Sequence, residues 1–223
     1  MAEKKKISIK EAREAGGKKY KEKIKKIIED YHKLPDEKKH QIHVYYGYGK
    51  GKTTAAIGLA VRALGAGKKV AIVEFDKGHD KKNDHYSEHA TLRKLKEIGL
   101  SLEVYRSGAE RMNKDGTFRF KNADEDFKEA ERALGIAKDL IKKGKQDLLI
   151  LDEIIAAVVY HLINKESVFE IIELYNKNRR FELVMTGHKL FDGLEEKVDL
   201  ITEMRKVKHY FDKGIQARPG IEY

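Results

Sequence analysis

The sequence predicts an α/β fold: a mostly parallel sheet flanked by helices, with an N-terminal helical arm. Three observations predict it. Short apolar runs of strand length alternate with stretches of helical periodicity from about residue 41 onward. The run Leu148-Leu149-Ile150-Leu151 is branched and wholly apolar, as in a strand buried on both faces. A loop rich in glycine and lysine, residues 47–54, joins the first strand-like run to the first helical stretch, where a helix N-terminus offers an anion site.

Residues 1–40 read as a basic arm, with 14 Lys and Arg against 8 Asp and Glu. Within it Tyr20, Ile24, Ile27, Ile28 and Tyr31 repeat at helical spacing, and Pro35 should end that helix. The remainder, 41–223, reads as one α/β domain. Gln41 to Tyr46 is the first predicted strand, and Thr53 to Leu64 a helix stopped by Gly65 and Gly67. Lys69 to Phe75 is a strand, Tyr86 to Ile98 a helix and Leu100 to Tyr105 a strand. Asn122 to Lys143 is a long helix with Gly144 as its stop. Leu148 to Leu151, Phe181 to Thr186 and Leu200 to Met204 complete the strands, and Glu166 to Lys177 is the last helix. Such alternation means a parallel sheet covered by helices.

The chain has 223 residues, enough for a sizeable core. It contains no cysteine, which excludes disulfides, thiolate metal sites and thiol nucleophiles. Its net charge of +10 favours anionic partners without choosing among them. Charged residues make up 38% of the chain and prolines number 2, a usage seen in thermophiles and equally in a Lys-rich solvated surface. No apolar run is long enough to span a bilayer, so no membrane association is expected. The charged N-terminus has no apolar stretch behind it, so a secretory signal is not expected and the cytoplasm is the natural location.

The loop Gly47-Tyr48-Gly49-Lys50-Gly51-Lys52-Thr53-Thr54 carries the strongest functional signal. Its glycines let backbone approach a phosphate closely, Lys52 would reach terminal phosphate oxygens, and the Thr53 hydroxyl would ligate magnesium. Strand, loop and helix agree on a P-loop NTPase architecture of the RecA-like kind. The general pattern has Gly, four residues, then Gly-Lys-Ser/Thr. Counting back from Gly51, the first position here is Tyr46. A tyrosine does not readily take a positive φ, so the entry to this loop must differ from the usual one.

A second motif follows the central apolar run: Asp152-Glu153 stand at the edge of the sheet where ligands of open α/β folds bind. One carboxylate would hold a metal ion directly or through water, and the other would hold a metal water or act as a base. Farther on, residues 202–223 mix charges, aromatics and glycines with no period, as an ordered loop does. Arg205, Lys208 and His209 are its candidates for contact with phosphates or a nucleobase.

The phosphate loop, Leu151-Asp152-Glu153 and the ending Glu203-x-Arg205-x-Val207-Lys208-His209-x-Phe211-Asp212-x-Gly214-Ile215-x-Ala217-x-x-Gly220-Ile221-Glu222-Tyr223 together resemble the P-loop class of ATP:corrinoid adenosyltransferases. The resemblance runs from about His43 to Tyr223, and the family's loop shares the missing first glycine. Glu74-Phe75-Asp76-Lys77-Gly78 stands where the family has Gln-Phe-x-Lys-Gly. Thr186-Gly187-His188-Lys189 replaces Thr-Gly-Arg-Gly, and Lys206 replaces a proline. The resemblance implies attack by the Co(I) of a reduced corrinoid on the 5′ carbon of ATP, with triphosphate leaving. It implies that Lys50, Lys52 and the loop amides stabilise that triphosphate, and that Thr53, Asp152 and Glu153 hold magnesium or manganese. It further implies that Phe118 and Phe120 border the corrinoid, that the N-terminal helix covers the site, that the enzyme is a homodimer, and that a reduced flavoprotein supplies electrons. Two other readings are a RecA-like ATPase that binds nucleic acid, suggested by the basic arm, and a non-catalytic ATP or corrinoid-binding module. The short phosphate loop argues against the first; altered residues such as Glu74 and His188 leave room for the second.

Overall fold

The structure is a computed structural model that describes residues 9–78, 86–109, 111, 119 and 121–223. Two compact units are present, Met1–Lys39 and His40–Tyr223. In the first, α1 runs Ile9–Lys33. A short 3-10 turn, Asp36–Lys38, follows immediately after Pro35, as the missing N–H and fixed φ of proline require. The Lys39 ammonium closes this turn on Asp36 at 2.9 Å.

The second unit is built on β1 (Ile42–Tyr46), α2 (Lys52–Gly65), β2 (Val70–Glu74), α3 (Glu88–Glu97), β3 (Leu102–Arg106) and α4 (Asp124–Lys143). It continues with β4 (Leu148–Asp152), α5 (Ile154–Val159), α6 (Lys165–Asn176), β5 (Glu182–Gly187) and β6 (Leu200–Glu203). The six strands form one sheet in the order β3-β2-β4-β5-β1-β6. Every neighbouring pair is parallel. All strands and the long helices expected from the sequence are present, displaced by one or two residues at their ends. The short α5 is an addition.

Side-chain alternation along β4 divides the core. Leu149 and Leu151 join Val44, Val73, Leu183 and Met185 on one face, against Ala133, Leu134 and Ala137 of α4 and Ile171, Ile172 and Tyr175 of α6. Leu148 and Ile150 join Ile72 and Val184 on the other, against Ala56, Ala60 and Leu64 of α2 and Leu92 of α3. Period-2 side chains on a strand covered on both faces require an unbroken apolar run. Small alanines on α2 and α4 let the helices lie close to the sheet. The ends of α4 follow ordinary rules. The Asp126 carboxylate accepts from the Ala123 N–H at 2.7 Å, and Gly144 takes the left-handed stop with φ 54°.

The buried Tyr175 hydroxyl donates to the Phe181 carbonyl at 2.6 Å, joining the end of α6 to the start of β5. Tyr175→Phe should therefore lower stability by about 1–2 kcal/mol in a denaturant titration. Nucleotide affinity should be unchanged, because the bond lies at the opposite end of β5 from the phosphate loop.

Candidate active site

The C-terminal ends of β1, β2, β4 and β5 meet in register: Tyr46 pairs with Gly187, and Glu74 with Asp152. The loops that leave these ends make the site. Tyr46 stays in the strand, and the left-handed turn falls on Gly47, with φ 117°. This resolves the odd loop entry: the glycine requirement has moved one residue on. The Gly49 N–H donates to the Met204 carbonyl at 2.6 Å, and the Met204 N–H to the Tyr46 carbonyl at 2.6 Å. A Cβ on either Gly47 or Gly49 would lie 2.5 Å from the Met204 oxygen, so both glycines are needed for contact with the strand end of β6. The Gly47 N–H is spent on the His188 carbonyl at 3.1 Å. The Gly47 and Gly49 amides thus shape the loop and do not point at a phosphate.

Lys52 is buried and its ammonium donates to the Gly49 carbonyl at 3.1 Å. Burial lowers its pKa, opposed by Glu153 and Asp152. Thr53 Oγ1 lies 3.2 and 3.1 Å from the two Asp152 oxygens. Asp152 is fully buried, and Lys77 Nζ reaches its Oδ2 at 2.6 Å. Burial alone would lower Lys77, but Asp152 and Glu74 outweigh it and hold the ammonium above its ordinary range. Thr186 Oγ1 donates to Asp152 Oδ1 at 2.7 Å and accepts the Glu153 N–H at 2.8 Å. Glu153 itself adopts φ 62° to start α5. Burial and the adjacent Asp152 push its carboxyl up to about 7, against the pull of Lys77 and Lys52. His188 approaches it at 3.9 Å and stacks on Tyr48, with centroids 6.3 Å apart. Burial, then Lys52, lowers the His188 pKa.

These groups border a cavity of about 1090 Å³, at the upper end of the size range for small-molecule pockets. Thr53, Thr54 and Ile57 line it from α2, Phe75, Asp76 and Lys77 from the loop after β2, and Ala156, Val159 and Tyr160 from α5 and its end. Glu153, His188 and Gly220–Tyr223 close other sides. Gly187 makes this packing possible, since a Cβ there would sit 2.5 Å from the Ala156 nitrogen. An ion-pair relay supports the wall. Arg111 joins Asp76 at 2.8 Å and Asn122 at 3.1 Å, while Arg119 grips both oxygens of Asp126 at 2.6 and 2.9 Å. Glu74, the last residue of β2, is fully buried and meets His89 Nε2 at 2.7 Å.

The predicted residues thus divide. Thr53, Thr54 and Glu153 line the cavity, while Lys52 and Asp152 sit directly behind it. Lys50 points to the C-terminal segment, 2.8 Å from Glu222. Arg205 and Lys208 are exposed and His209 half-buried, and none of the three lines the cavity. His209 instead caps the 3-10 turn Tyr210–Lys213 by accepting the Phe211 N–H at 3.1 Å. Phe118 and Phe120 lie outside the described residues. Lys77, Thr186, Tyr210 and Glu222 were not among the predicted site residues. Lys77, Thr186 and Glu222 do belong to motifs quoted above, and a carboxylate at the end of a fully apolar strand is itself a signal for a buried cation partner.

The model of the family described as ATP:corrinoid adenosyltransferase BtuR/CobO/CobP matches residues 38–223. The chain belongs to that family. A corrinoid adenosyltransferase of Escherichia coli K12 is 32% identical over 182 residues, covering 82% of this chain and 85% of the relative. One from Pseudomonas aeruginosa is 32% identical over 180 residues, covering 81% and 82%. Corrinoid adenosyltransferase CobA of Salmonella typhimurium is 28% identical over 202 residues, covering 91% and 95%. Membership agrees with the six-stranded parallel sheet. It does not favour the nucleic-acid ATPase or the non-catalytic module. No helix among the described residues is long and apolar enough to cross a membrane.

The Asp152 cluster has a measurable cost of disruption. Thr186→Val should destabilise the domain by about 1–3 kcal/mol, since it leaves the Glu153 N–H and one Asp152 oxygen short of a partner. Lys77→Met should cost more, about 3–5 kcal/mol, by leaving a buried carboxylate unpaired. Denaturant midpoints at neutral pH check both. Equal stability of Lys77→Met and the parent would show that the pair does not hold the fold.

Proposed function

We propose that this chain transfers the 5′-deoxyadenosyl group of ATP to the Co(I) of a reduced corrinoid and releases triphosphate. The observation that carries the reading, within the family it belongs to, is the shared border of phosphate loop, acidic strand end and cavity. Thr53 and Glu153 both line the cavity, and its lining also includes the apolar Ile57, Phe75, Ala156 and Val159. A nucleotide anchored by its phosphates at α2 would extend into that space beside a flat, largely apolar corrinoid.

The chemistry asks little of acid or base. The cobalt electron pair forms the Co–C5′ bond, the C5′–O bond breaks, and the oxygen leaves with its electron pair as triphosphate. No proton need move. The protein's task is to align the two substrates and stabilise the negative leaving group. Lys52, Lys50, the N-terminal dipole of α2 and the loop amides left unspent supply that stabilisation. Arg205 and Lys208, on the segment that follows β6, would add positive charge near the phosphates, and His209 would order the same segment beside them.

Magnesium or manganese fits the acidic end. Among the described residues no three His, Cys, Asp or Glu form a ready-made metal cage. Magnesium does not need one, since it commonly takes one or two carboxylates plus phosphate oxygens and water. Asp152 is already neutralised by Lys77, whereas Glu153 is half-buried on the cavity wall with its carboxyl pushed up to about 7. A cation there would relieve that burden. Thr53 and Glu153, with Asp152 behind them, would hold it, and when bound it would neutralise charge on the triphosphate.

The enzyme works as a homodimer in the cytoplasm, with a reduced flavoprotein as electron donor. The exposed edge strand β6, with Leu200 43% and Ile201 38% exposed, offers apolar surface for a second copy to cover. The α/β domain, 41–223, carries the site, and the family resemblance assigns Phe118 and Phe120 to the corrinoid.

An anaerobic absorbance assay with ATP, magnesium and chemically reduced cobalamin should show formation of the cobalt–carbon product. Lys52→Ala should abolish that product and reduce ATP affinity on the order of a hundredfold, the loss of a buried charged contact. Product formation at the parental rate by this variant would place the phosphate site elsewhere. Replacing Phe118 and Phe120 together by alanine should leave ATP affinity intact and slow alkylation; parental rates would remove the pair from the mechanism.

A further inference from the structure

Lys50 of the phosphate loop already holds an anion. Its ammonium donates to Glu222 Oε1 at 2.8 Å and to the Tyr210 hydroxyl at 3.1 Å. The same carboxylate accepts the Arg218 N–H at 2.8 Å and meets the Arg218 guanidinium at 3.3 and 3.4 Å. The Tyr210 hydroxyl also bonds to it. Arg218 in turn lies over the Tyr210 ring, 5.0 Å from its centroid. Glu222 is therefore surrounded by the donors that a phosphate oxygen would seek.

A separate observation ties this segment to the cavity. Gly220, Ile221, Glu222 and Tyr223 form part of its wall. Ser87, which also lines the cavity, donates to the Tyr223 carbonyl at 2.9 Å and accepts the Gly220 N–H at 3.2 Å. The residues that bear the carboxylate are thus the residues that close one side of the substrate space.

We propose that Glu222 is an internal competitor for the triphosphate: its carboxylate occupies Lys50 before ATP binds, yields that place to the phosphates, and returns as triphosphate leaves. The proposal rests on the reading of residues 47–54 as the triphosphate site. A polyphosphate and a carboxylate cannot share one ammonium without strong like-charge repulsion. The resident carboxylate therefore weakens ATP and triphosphate alike. That is useful where the product is the more highly charged fragment, held by the same loop, and its release limits turnover. Displacement also frees the Arg218 guanidinium from its carboxylate partner. No covalent step is involved; one anion exchanges for another.

Glu222→Gln preserves shape and removes the charge. Titration calorimetry with inorganic tripolyphosphate in magnesium buffer should show binding on the order of tenfold tighter than in the parent, the size of one partly screened charge contact. Tyr210→Phe loosens Glu222 without removing it and should shift affinity the same way by less, which keeps the test alive if Glu222→Gln fails to fold. Amide hydrogen exchange at residues 218–223 of the parent should speed up when tripolyphosphate is added. Unchanged or weaker tripolyphosphate binding by both variants, or slower exchange in that segment, overturns the proposal. Lys52→Ala separates the two levels: if it binds tripolyphosphate as the parent does, the phosphate-loop reading beneath the proposal has failed, and the proposal falls with it.

Discussion

A single buried carboxylate organises this domain. Asp152 ends the central strand β4, in full burial, where an isolated charge would be prohibitively costly. Four neighbours answer it. Lys77 comes from the loop after β2, Thr53 from the first turn of α2 and Thr186 from β5. The Phe75 N–H meets its backbone carbonyl at 2.9 Å. The three side chains come from three different elements: the loop after β2, the start of α2 and the end of β5. The charge that must be satisfied therefore fixes the distances among phosphate loop, acidic end and cavity wall. A buried ion pair is seldom a large net source of stability, but breaking it is expensive, which makes it a good device for setting position.

The strand order explains why Thr186 is needed. The phosphate loop leaves β1 and the acids leave β4, and β5 lies between these two strands. The groups are neighbours across a strand, not on adjacent ones. A residue at the end of β5 has to bridge them, and a threonine hydroxyl can donate to Asp152 while accepting from Glu153. The following Gly187 then lets α5 close over the strand end. The pair Thr186-Gly187 thus has a geometric task of its own, distinct from that of the neighbouring His188 and Lys189.

Much of the fold was legible because the relevant signals are local. Alternation in β4, the glycine stops of α2 and α4 and the strand-loop-helix sequence around Gly47 each lie within one short window. The helix α5 was not legible: Ile154–Val159 is six residues of uninterrupted apolar character, too short to display a helical period and continuous with the strand before it. At the site, Lys52, Thr53, Asp152 and Glu153 could be read from two contiguous motifs. Their partners could not. Thr53 and Asp152 stand 99 positions apart, and Lys50 and Glu222 stand 172 apart. No spacing rule reports such a pairing. Arg205, Lys208 and His209 drew notice through charge alone, whereas the charged group that reaches the phosphate loop from that segment is the acidic Glu222. The left-handed backbone of Glu153 was likewise invisible, since nothing but tertiary packing forces a non-glycine residue there.

The bonds between Met204 and the phosphate loop also set an order of events in biosynthesis. Residues 47–54 leave the ribosome early, yet the backbone that shapes Gly49 belongs to the exit from β6, the last strand of the sheet. A nascent chain that has completed β1 and α2 has the loop's sequence but not its outline. A truncated product lacking the final strand would retain the loop's glycines and lysines while losing the Met204 bonds to Gly49 and Tyr46. The loop's outline is complete only once β6 closes the edge of the sheet.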